Sequence, residues 1–549
     1  MSSRMVAGLL FSMCALAQQS AVERVERVGV GDEQVRLTLE AALEMAMRNN
    51  LTIEVERTEV ESAAHALKGA KGAFDTVALW QPSISDATTP TTNTLFAPDG
   101  KLKDKAVNWN MGVRQKTPWN GVSLNVSFDN SRQTTTNAFT ALNPYYSSRL
   151  TAAVSAPLWR GRAIDRERAE IRIRSKAAEQ SRADFETRVV EVITITQSAY
   201  WDLAASIEDA QVAGMGVQLA REQLDRTRRA IDAGTLAPVE LAASEAELQR
   251  RIDTYVTAVG MVTVAENALK GLISPNREDA IWNKRVTPVD TRQLDVPDTD
   301  VVAGMSSALQ RRPELRSLEL RKAQAGVQKR LASDLTRPSV SLTGSYSVAG
   351  LAGAQTQTAN PIGSLFGAIT TRVNTLSELQ GLNPLPASSG GGIPPALVGG
   401  YGQSVSNLFG GDYPTIQAGV LIEWNPRNSA AEAAQAQAGL AERRLSIMRR
   451  QIEQGIEAEV RNAMQGLATA RQRIEAARAS ERAAQEKLDS EIRLFQTGES
   501  TNFLVLTRQN ELIDSKRRVV TATLLLNRAV ALAQKAVGTA LAVHNISLD

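Results

Sequence analysis

Residues 494–504 read LFQTGESTNFL and lie between two long stretches with helical periodicity. Gly498 stands at the junction, and a second stretch, AIDAGTLAPVEL at residues 230–241, places Gly234 in the same position between two other helical stretches. Glycine adopts a positive φ without steric strain and commonly ends helices. Each glycine is therefore predicted to turn a long helix back along itself, so that two helical hairpins form the basis of the fold.

The two glycines belong to an internal duplication. Ala308 follows Ala46 by 262 positions, Trp424 follows Trp159 by 265, and Gly498 follows Gly234 by 264. Such constant offsets indicate a unit of about 260 residues that is present twice. Each copy has a medium helix, β segments, a long helix, the glycine turn and a return helix. The predicted helices span about 50–72, 165–233 and 236–273 in the first copy, and 313–335, 428–497 and 500–536 in the second.

The duplication sets the predicted boundaries along the chain. We expect a signal peptide at 1–17, a first structural repeat at 18–275 with β segments at about 75–157, a linker or equatorial segment at 276–300, a second repeat at 301–540 with β segments at about 338–348 and 415–424, and a C-terminal tail at 541–549.

The long helices have heptad spacing. Apolar residues recur every seven positions, at Val460, Leu467, Ile474, Leu488 and Phe495 in one helix and at Val505, Leu512, Val519 and Leu526 in the next. This spacing is typical of left-handed coiled coils. A helix over 165–233 would be roughly 100 Å long, which indicates a tube or a stalk rather than a globular core.

The β segments alternate between apolar and polar residues. In the run around Val107–Val113 every second residue is apolar, and the turn signal TPWNG at 117–121 leads to a second such run. A half-buried sheet in water gives the same pattern. Trp and Tyr residues at the ends of the runs, together with an export signal, favour a barrel in lipid.

One chain cannot close such a barrel. We count four to six strands, whereas closed barrels begin at about eight and an open edge cannot lie in lipid. Three chains with four strands each would give about twelve strands, and the sequence leaves open whether the 107–129 hairpin adds to this number. The segments 131–147 and 349–412 are predicted to be long loops, which either fold over the mouth or are mobile.

The amino terminus and the composition limit the possible partners. MSSRMVAGLLFSMCALAQQ is predicted to be a secretory signal cut after Ala17 rather than a buried strand, and Met13 before Cys14 disfavours a lipoprotein. Cys14 is the one cysteine of the chain, so the mature protein would have no disulfide. The net charge of +3 predicts no nucleic-acid binding. No apolar run of 18 residues follows the signal, which argues against a transmembrane helix.

These features together resemble the TolC family of outer-membrane efflux proteins. The resemblance covers about residues 37–540 and is based on LTLEAALEMAMRNN, APLWRGR, RRPELRSLELRKAQAGV and the two glycine tips. It implies a mainly helical homotrimer with a membrane β-barrel of twelve strands shared between three chains, in the outer membrane. A periplasmic α-barrel of coiled-coil helices would contact a periplasmic adaptor joined to an inner-membrane pump.

The resemblance also implies a contact site for the adaptor. The family's tip motif matches Ala233-Gly234-Thr235 and Thr497-Gly498-Glu499 in their glycines and only loosely in their flanks. The predicted adaptor-contact residues are Gly234, Thr235, Leu236, Gly498, Glu499 and Ser500. The sequence alone leaves open whether these tips bind a partner or only turn the chain.

The sequence departs from the family at the periplasmic aperture. In TolC an arginine past the second tip pairs with an aspartate past the first, and Ser500 and Glu240 stand in these places. Two aspartates that ring the TolC aperture are replaced by Leu504 and Thr507. Glu240, Leu504 and Thr507 are therefore the aperture candidates. An apolar ring could close the pore by dewetting, while ordinary coiled-coil packing is the alternative for Leu504.

The chain lacks the usual motifs of an enzyme. Outside the signal it has only His65 and His544, and no HExxH motif, nucleophile elbow or phosphate loop is present. We therefore predict no catalysis, no metal site and no cofactor. The predicted function is a passive outer-membrane conduit for efflux or secretion with an unspecified cargo. The alternative is an exported trimeric coiled-coil stalk, structural or adhesive, without a conduit.

Overall fold

The computed structural model describes residues 26–92, 97, 99–290, 300–356, 361–385 and 393–548. The predicted signal peptide and most of the second half of the predicted linker lie outside the described residues. The chain forms two compact units. The first is helical and takes the residues up to Ala63, Ala177–Arg321 and Arg444 onward, and the second contains the large sheet and takes Ala64–Lys176 and Lys322–Arg443.

The helices follow the duplicated order that the sequence predicts. They are α1 (Leu39–Asn49), α2 (Leu51–Lys71), α3 (Arg166–Asp232), α4 (Val239–Ile273), α5 (Val301–Arg311), α6 (Pro313–Leu335), α7 (Pro361–Leu379), α8 (Tyr401–Gly410), α9 (Ser429–Gln496), α10 (Asn502–Val537) and α11 (Ala540–Val543). The long helices and their return helices begin and end within about three residues of the predicted positions, because the heptads and the tip glycines specify both.

The heptad residues form the core of the second hairpin. Leu467 and Ile474 of α9 are buried against Leu526 of α10, and Leu488 is buried against Leu512. Each fully buried leucine contributes about 1.5–3 kcal/mol. Two heptad residues, Phe495 and Val519, are only partly buried, and Val520 beside Val519 is buried at 5% exposure. An α-helix has 3.6 residues per turn and drifts from a strict seven-residue repeat.

A buried charge cluster anchors a short parallel sheet to helix α4 within the helical unit. Strands β1 (Gln34–Leu37) and β6 (Arg285–Pro288) pair in parallel. Glu266 of α4 forms ion pairs with Lys270, at 2.7 Å, and with Arg27. It also accepts a hydrogen bond from the Val286 backbone N–H, at 3.2 Å. Because the Glu266 and Lys270 side chains are fully buried, the cluster depends on all of its partners.

Helix α4 is long and apolar enough, by length and composition, to cross a membrane. Its buried charges Glu266 and Lys270 pair within the helical unit. The same helix continues from the first glycine tip as the return arm of a hairpin. We therefore assign α4 to the helical hairpin.

The second unit contains one antiparallel sheet of six strands in the order β2-β3-β4-β5-β7-β8. The strands are β2 (Val77–Pro90), β3 (Lys101–Lys116), β4 (Ser123–Thr135), β5 (Leu142–Pro157), β7 (Ser339–Gln355) and β8 (Pro414–Glu423). Asn120 and Gly121 have φ of 52° and 71° in the predicted β3–β4 turn, as a tight hairpin requires. The hairpin left open by the sequence is thus part of the sheet.

The six strands have one apolar and one polar face. Directly paired residues lie on the same face, so the pairing fixes the two sets. The apolar face contains Trp80, Ile84, Val107, Met111, Val113, Leu124, Val126, Phe128, Leu150, Val154, Leu342, Val348, Ile416, Val420 and Ile422. The polar face contains Ser83, Asn108, Asn125, Ser127, Ser131, Ser155, Thr343, Ser345, Ser347, Gln417 and Glu423. This division is the one that the alternating sequence predicts.

The segment predicted as a loop at 349–412 contains helices α7 and α8. Helix α8 packs on the apolar face, where Ser404 donates to Ser148, inside β5, at 3.1 Å and to the Gly350 carbonyl at 3.0 Å. A Cβ on Gly350 would lie 2.0 Å from the Ser404 carbonyl oxygen, so the close approach requires glycine. The part of this segment that forms α8 is therefore a packed helix. Because α8 lies on the apolar face, it does not cover the polar face of its own chain.

Candidate functional site

The two glycine tips have the same backbone geometry. Gly234 and Gly498 have φ of +72° and +83°. After each glycine the chain closes with a hydrogen bond to the carbonyl five residues back, from Thr235 to Ala230 at 2.8 Å and from Glu499 to Leu494 at 2.9 Å. This is the Schellman arrangement that ends a helix. The predicted hairpin turns are confirmed by this geometry.

The residues that flank the tip glycines have little cover from their own chain. Thr235 and Glu499 are exposed, Leu236 and Ser500 are partly buried, and no atom lies within 4 Å of a Cβ built on either glycine. Ser500 donates a hydrogen bond to Glu491 of its own hairpin. The six predicted contact residues therefore lie at the two turns and are exposed or partly buried.

A buried polar cluster lies just past the tips and joins the two hairpins. Asn502 accepts from Gln223 of α3, at 2.6 Å, and donates to Glu240 and Ser244 of α4, at 3.1 and 3.3 Å. Ser244 in turn donates to Thr227, at 3.2 Å. We call these five residues the amide cluster. All of them except Glu240 are at least 98% buried.

The amide cluster replaces the ion pair that the family resemblance would place here. Ser500 bonds to Glu491, and Glu240 receives the Asn502 amide instead of an arginine. A neutral amide needs less desolvation than a guanidinium, and it reaches the part-buried Glu240 carboxyl group at 3.1 Å. A tie between the hairpins is thus present, but it does not involve Ser500.

Leu504 and Thr507 lie on the first turns of α10. Leu504 is 37% exposed, whereas the heptad residue Val505 beside it is fully buried. Thr507 is partly buried and donates to the Phe503 carbonyl at 2.8 Å. Phe503 is 72% exposed and was not predicted. Two neighbouring apolar side chains, Phe503 and Leu504, therefore stand free of the core of their own chain.

The sequence contained a signal for the amide cluster. Asn502, Val505, Gln509 and Leu512 are spaced by three and four residues, which places both amides on the buried seam of α10. Asn502 and Gln509 are 2% and 4% exposed. A polar residue at a heptad position predicts a buried hydrogen-bonded network, but the partners on α3 and α4 could not be found from spacing.

The charged groups near the tips form pairs. Arg508 lies 2.7 Å from Glu511 and 3.5 Å from Glu491, and the hydrogen bond to Glu511 raises the pKa of Arg508. Within the described ranges, no three His, Cys, Asp or Glu side chains converge as a metal site would need. His65 is exposed on α2 and His544 contacts Gln197.

Comparisons with known proteins identify the fold. The family model described as outer membrane efflux protein matches residues 114–274, which include β4, β5 and the first hairpin. The chain has a TolC-family fold. The resemblance drawn from the sequence is thereby confirmed. No curated protein sequence matches the chain significantly.

Solved outer-membrane channels share the TolC-family fold over almost their full length. The Campylobacter jejuni CmeC channel has a TM-score of 0.59 at 16% identity, and the match covers 91% of this chain and 86% of the CmeC chain. The Vibrio cholerae protein VceC has a TM-score of 0.58 at 12% identity, and the match covers 91% of this chain and 96% of the VceC chain. The open state of the Neisseria gonorrhoeae MtrE channel has a TM-score of 0.60 at 16% identity, and the match covers 95% of this chain and 94% of the MtrE chain.

Proposed function

We propose that the chain is the outer-membrane channel of an efflux or secretion system and acts as a passive conduit. The observation that carries this proposal is the six-stranded sheet, which has one apolar and one polar face and is part of the same chain as two helical hairpins. An apolar outer face and a polar interior are the pattern of an outer-membrane barrel. The outer-membrane efflux family model and the outer-membrane neighbours support the same location.

Three copies would assemble the channel. Both edge strands of the sheet are exposed along their whole length. In the helical unit, Val256, Met261 and Val264 on α4 are 45–62% exposed. An exposed apolar face on a helix indicates a protein contact, and α4 would find that contact in a neighbouring copy. The periplasmic part would then be a tunnel of hairpins.

The tips are the proposed docking point for a periplasmic adaptor. The two tip glycines, Thr235 and Glu499 are exposed at the two turns, and Leu236 and Ser500 beside them are partly buried. An adaptor joined to an inner-membrane pump would bind here and supply the energy of transport. The channel itself would carry out no chemical reaction.

The aperture is proposed to close by packing and hydrogen bonding. The amide cluster holds the two hairpins of one chain together near the tips. Phe503 and Leu504 stand free beside it, and copies of these side chains would narrow the tunnel to an apolar ring that excludes water. Adaptor binding would open the ring by separating the hairpins.

A stalk without a conduit explains less of the molecule. It accounts for the heptads, but it gives no role to a six-stranded sheet with a continuous apolar face. A protein released from membranes by a salt wash would favour the stalk, since electrostatic attachment weakens with salt. A protein that needs detergent for extraction would favour the barrel.

Conductance in a planar bilayer tests the proposal. The purified wild-type protein should give a small and mostly closed conductance, and Leu504→Asp should increase its size or its cation preference, because the ring becomes hydrated and charged. Leu440→Asp, at an exposed leucine of α9 far along the chain from the tip, is the matched control and should behave as the wild type.

A second variant separates a sealed channel from a protein that is no channel. Asn502→Ala removes the central member of the amide cluster and should open a resting channel. If the folded protein conducts neither as wild type nor with Asn502→Ala or Leu504→Asp, the conduit is excluded and the stalk remains.

A further inference from the structure

The sheet ends in two long unpaired edges. Among the described residues, β2 pairs only with β3 and β8 pairs only with β7. Every residue of both edge strands is exposed. Within lipid an unpaired backbone N–H or C=O costs several kcal/mol, so an open edge cannot remain there.

The apolar face continues to both edges. Trp80 and Ile84 on β2 are 70% and 82% exposed, and Ile416 and Ile422 on β8 are 77% and 65% exposed. The β3–β4 hairpin between them has the same face, with Met111 among its exposed residues. The strands have 10 to 17 residues, and a membrane strand needs about 9–11. All six strands are therefore long enough to span the membrane. Their apolar face also carries the Asp86–Lys105 pair and is covered in part by α8.

The register of the sheet has the stagger of a barrel. A row of paired residues runs from Lys116 through Ser123, Ser155 and Thr343 to Gly419. On β8 the row reaches Gly419, and the strand continues for four more residues to Glu423. On the other side the row passes two residues beyond the start of β2, because the first residue of β2, Val77, pairs with Arg114 and not with Lys116. The ends of the edge strands thus differ by six residues over six strands. A shift of one residue per strand moves the chain ~3.3 Å along the strand for every ~4.8 Å across the sheet. This shift tilts the strands by about 35°, as closed barrels require.

We propose that β8 of one copy pairs with β2 of the next, and that six strands from each of three copies close an eighteen-stranded barrel. This inference rests on the proposed function. The two edges are suited to each other because every neighbouring pair in the six-stranded sheet is antiparallel. The first and the last strand, β2 and β8, therefore run in opposite directions and would meet antiparallel. An 18-stranded barrel is about half again as wide as a twelve-stranded one, since diameter grows roughly linearly with strand number.

The edges carry few features that block pairing. Pro82 removes one backbone donor from β2, so a β2 that is paired on both sides would lack a single hydrogen bond at this residue. Asp86, the charged residue of β2, is 2.8 Å from Lys105 of the neighbouring strand. Glu423, the charged residue of β8, stands at its end. Edges that must stay in water are usually protected more strongly, by several charges or bulges.

Cysteine pairs in the predicted cysteine-free mature chain test this interface. Ser83→Cys on β2 is combined in turn with Thr415→Cys, Gln417→Cys and Gly419→Cys on β8, which cover three registers on the polar face. At least one combination should give interchain disulfides up to the trimer on a non-reducing gel. Ser345→Cys with Gln417→Cys is the control, because these residues pair within one chain and should give no ladder of oligomers.

The outcomes separate the inference from the proposed function. In one outcome, a conducting protein forms interchain disulfides between Gln417→Cys on β8 and either Ser127→Cys or Ser131→Cys on β4. Its barrel then has twelve strands without the β2–β3 hairpin, so the inference fails while the proposed function stands. The inference also fails if a conducting protein gives no disulfide at any of the three registers, or if its native mass is that of two copies. A protein that does not enter the membrane overturns both.

Discussion

At the scale of single residues, Asn502 is the side chain on which the tip region depends most. It hydrogen-bonds to both helices of the first hairpin from the first turn of α10. Because its partners Gln223 and Ser244 are almost fully buried, water cannot replace the amide if it is lost. The position combines a local role as the first residue of α10 with a long-range role between the two repeats.

The Asn502→Ala variant should weaken the junction between the hairpins. Leaving buried polar partners unsatisfied costs about 1–3 kcal/mol, and the loss should raise the fraction of time that a single channel is open. Asn510→Ala is the matched control, since its amide oxygen accepts a hydrogen bond from Arg250 of the first hairpin at 3.0 Å, and this bond is exposed. Equal open fractions in the two variants would contradict a special role of the amide cluster.

His544 should make stability depend on pH. Burial lowers the pKa of His544, and Glu40 opposes this only in part; Gln197 hydrogen-bonds the ring. A histidine with a lowered pKa binds fewer protons when folded, so its stabilising contribution is present above its unfolded pKa of about 6.5 and is lost as the pH falls below it.

Thermal unfolding at several pH values tests the role of His544. The wild type should lose more stability between pH 7.5 and 5.5 than His544→Gln does. His65→Gln, at an exposed histidine of α2, should retain the wild-type pH profile. A His544→Gln profile that is parallel to the wild type would show that this histidine is not coupled to folding.

At the scale of elements, the sequence predicted those parts that local pattern determines. The heptads gave α9 and α10, and TPWNG gave the β3–β4 turn with its two positive-φ residues. Helix α8 was missed because Tyr401–Gly410 is rich in glycine and serine, and it is held by contacts with Ser148 and Gly350 from distant strands. The β1–β6 pair was missed because a four-residue strand is too short for periodicity.

The candidate site was predictable to the same extent. Gly234 and Gly498 follow from helix-ending rules that operate within a few residues. Asn502 was missed because its role depends on Gln223 and Glu240, which are more than 260 positions away in the chain. Local chemistry thus identifies the turns, while the tie between the hairpins depends on how the two repeats pack.

Helix α4 should depend strongly on Glu266. Replacing Glu266 by Gln removes the charge that compensates the fully buried Lys270 and the nearby Arg27. Breaking a buried ion pair from one side costs about 3–5 kcal/mol, so the midpoint of unfolding in denaturant should fall clearly. Glu245→Gln, on an exposed part of the same helix with a partner at 3.8 Å, should change it little. Similar losses in both variants would contradict the importance of burial.

At the scale of the whole molecule, the two repeats use the same length for different structures. The first copy has the β3–β4 hairpin between β2 and β5, while the second has α7 and α8 between β7 and β8. This explains why the offsets of 262 to 265 positions remain constant although the copies contribute four strands and two strands. A duplicated unit has thus become asymmetric without changing its length.

Removing the extra hairpin should narrow the channel. Deleting 101–135 joins β2 to β5 with the correct antiparallel direction and leaves four strands in each copy. The single-channel conductance through the Leu504→Asp background should therefore decrease. Deleting 361–379, which removes α7 from outside the sheet, is the control and should leave the conductance unchanged. A decrease of the same size in both deletions would indicate a general defect in folding.

The exposed edges of β2 and β8 also have a consequence for biogenesis. A single copy arriving in the periplasm presents two β-strands with free backbone groups and an apolar surface, which is a template for aggregation. Such a copy must either meet two others quickly or be held by a chaperone. Since pairing needs further copies, the yield of native protein should rise steeply with the rate of synthesis at low expression. Cells that produce too little of this protein would thus lose a disproportionate share of it to proteolysis.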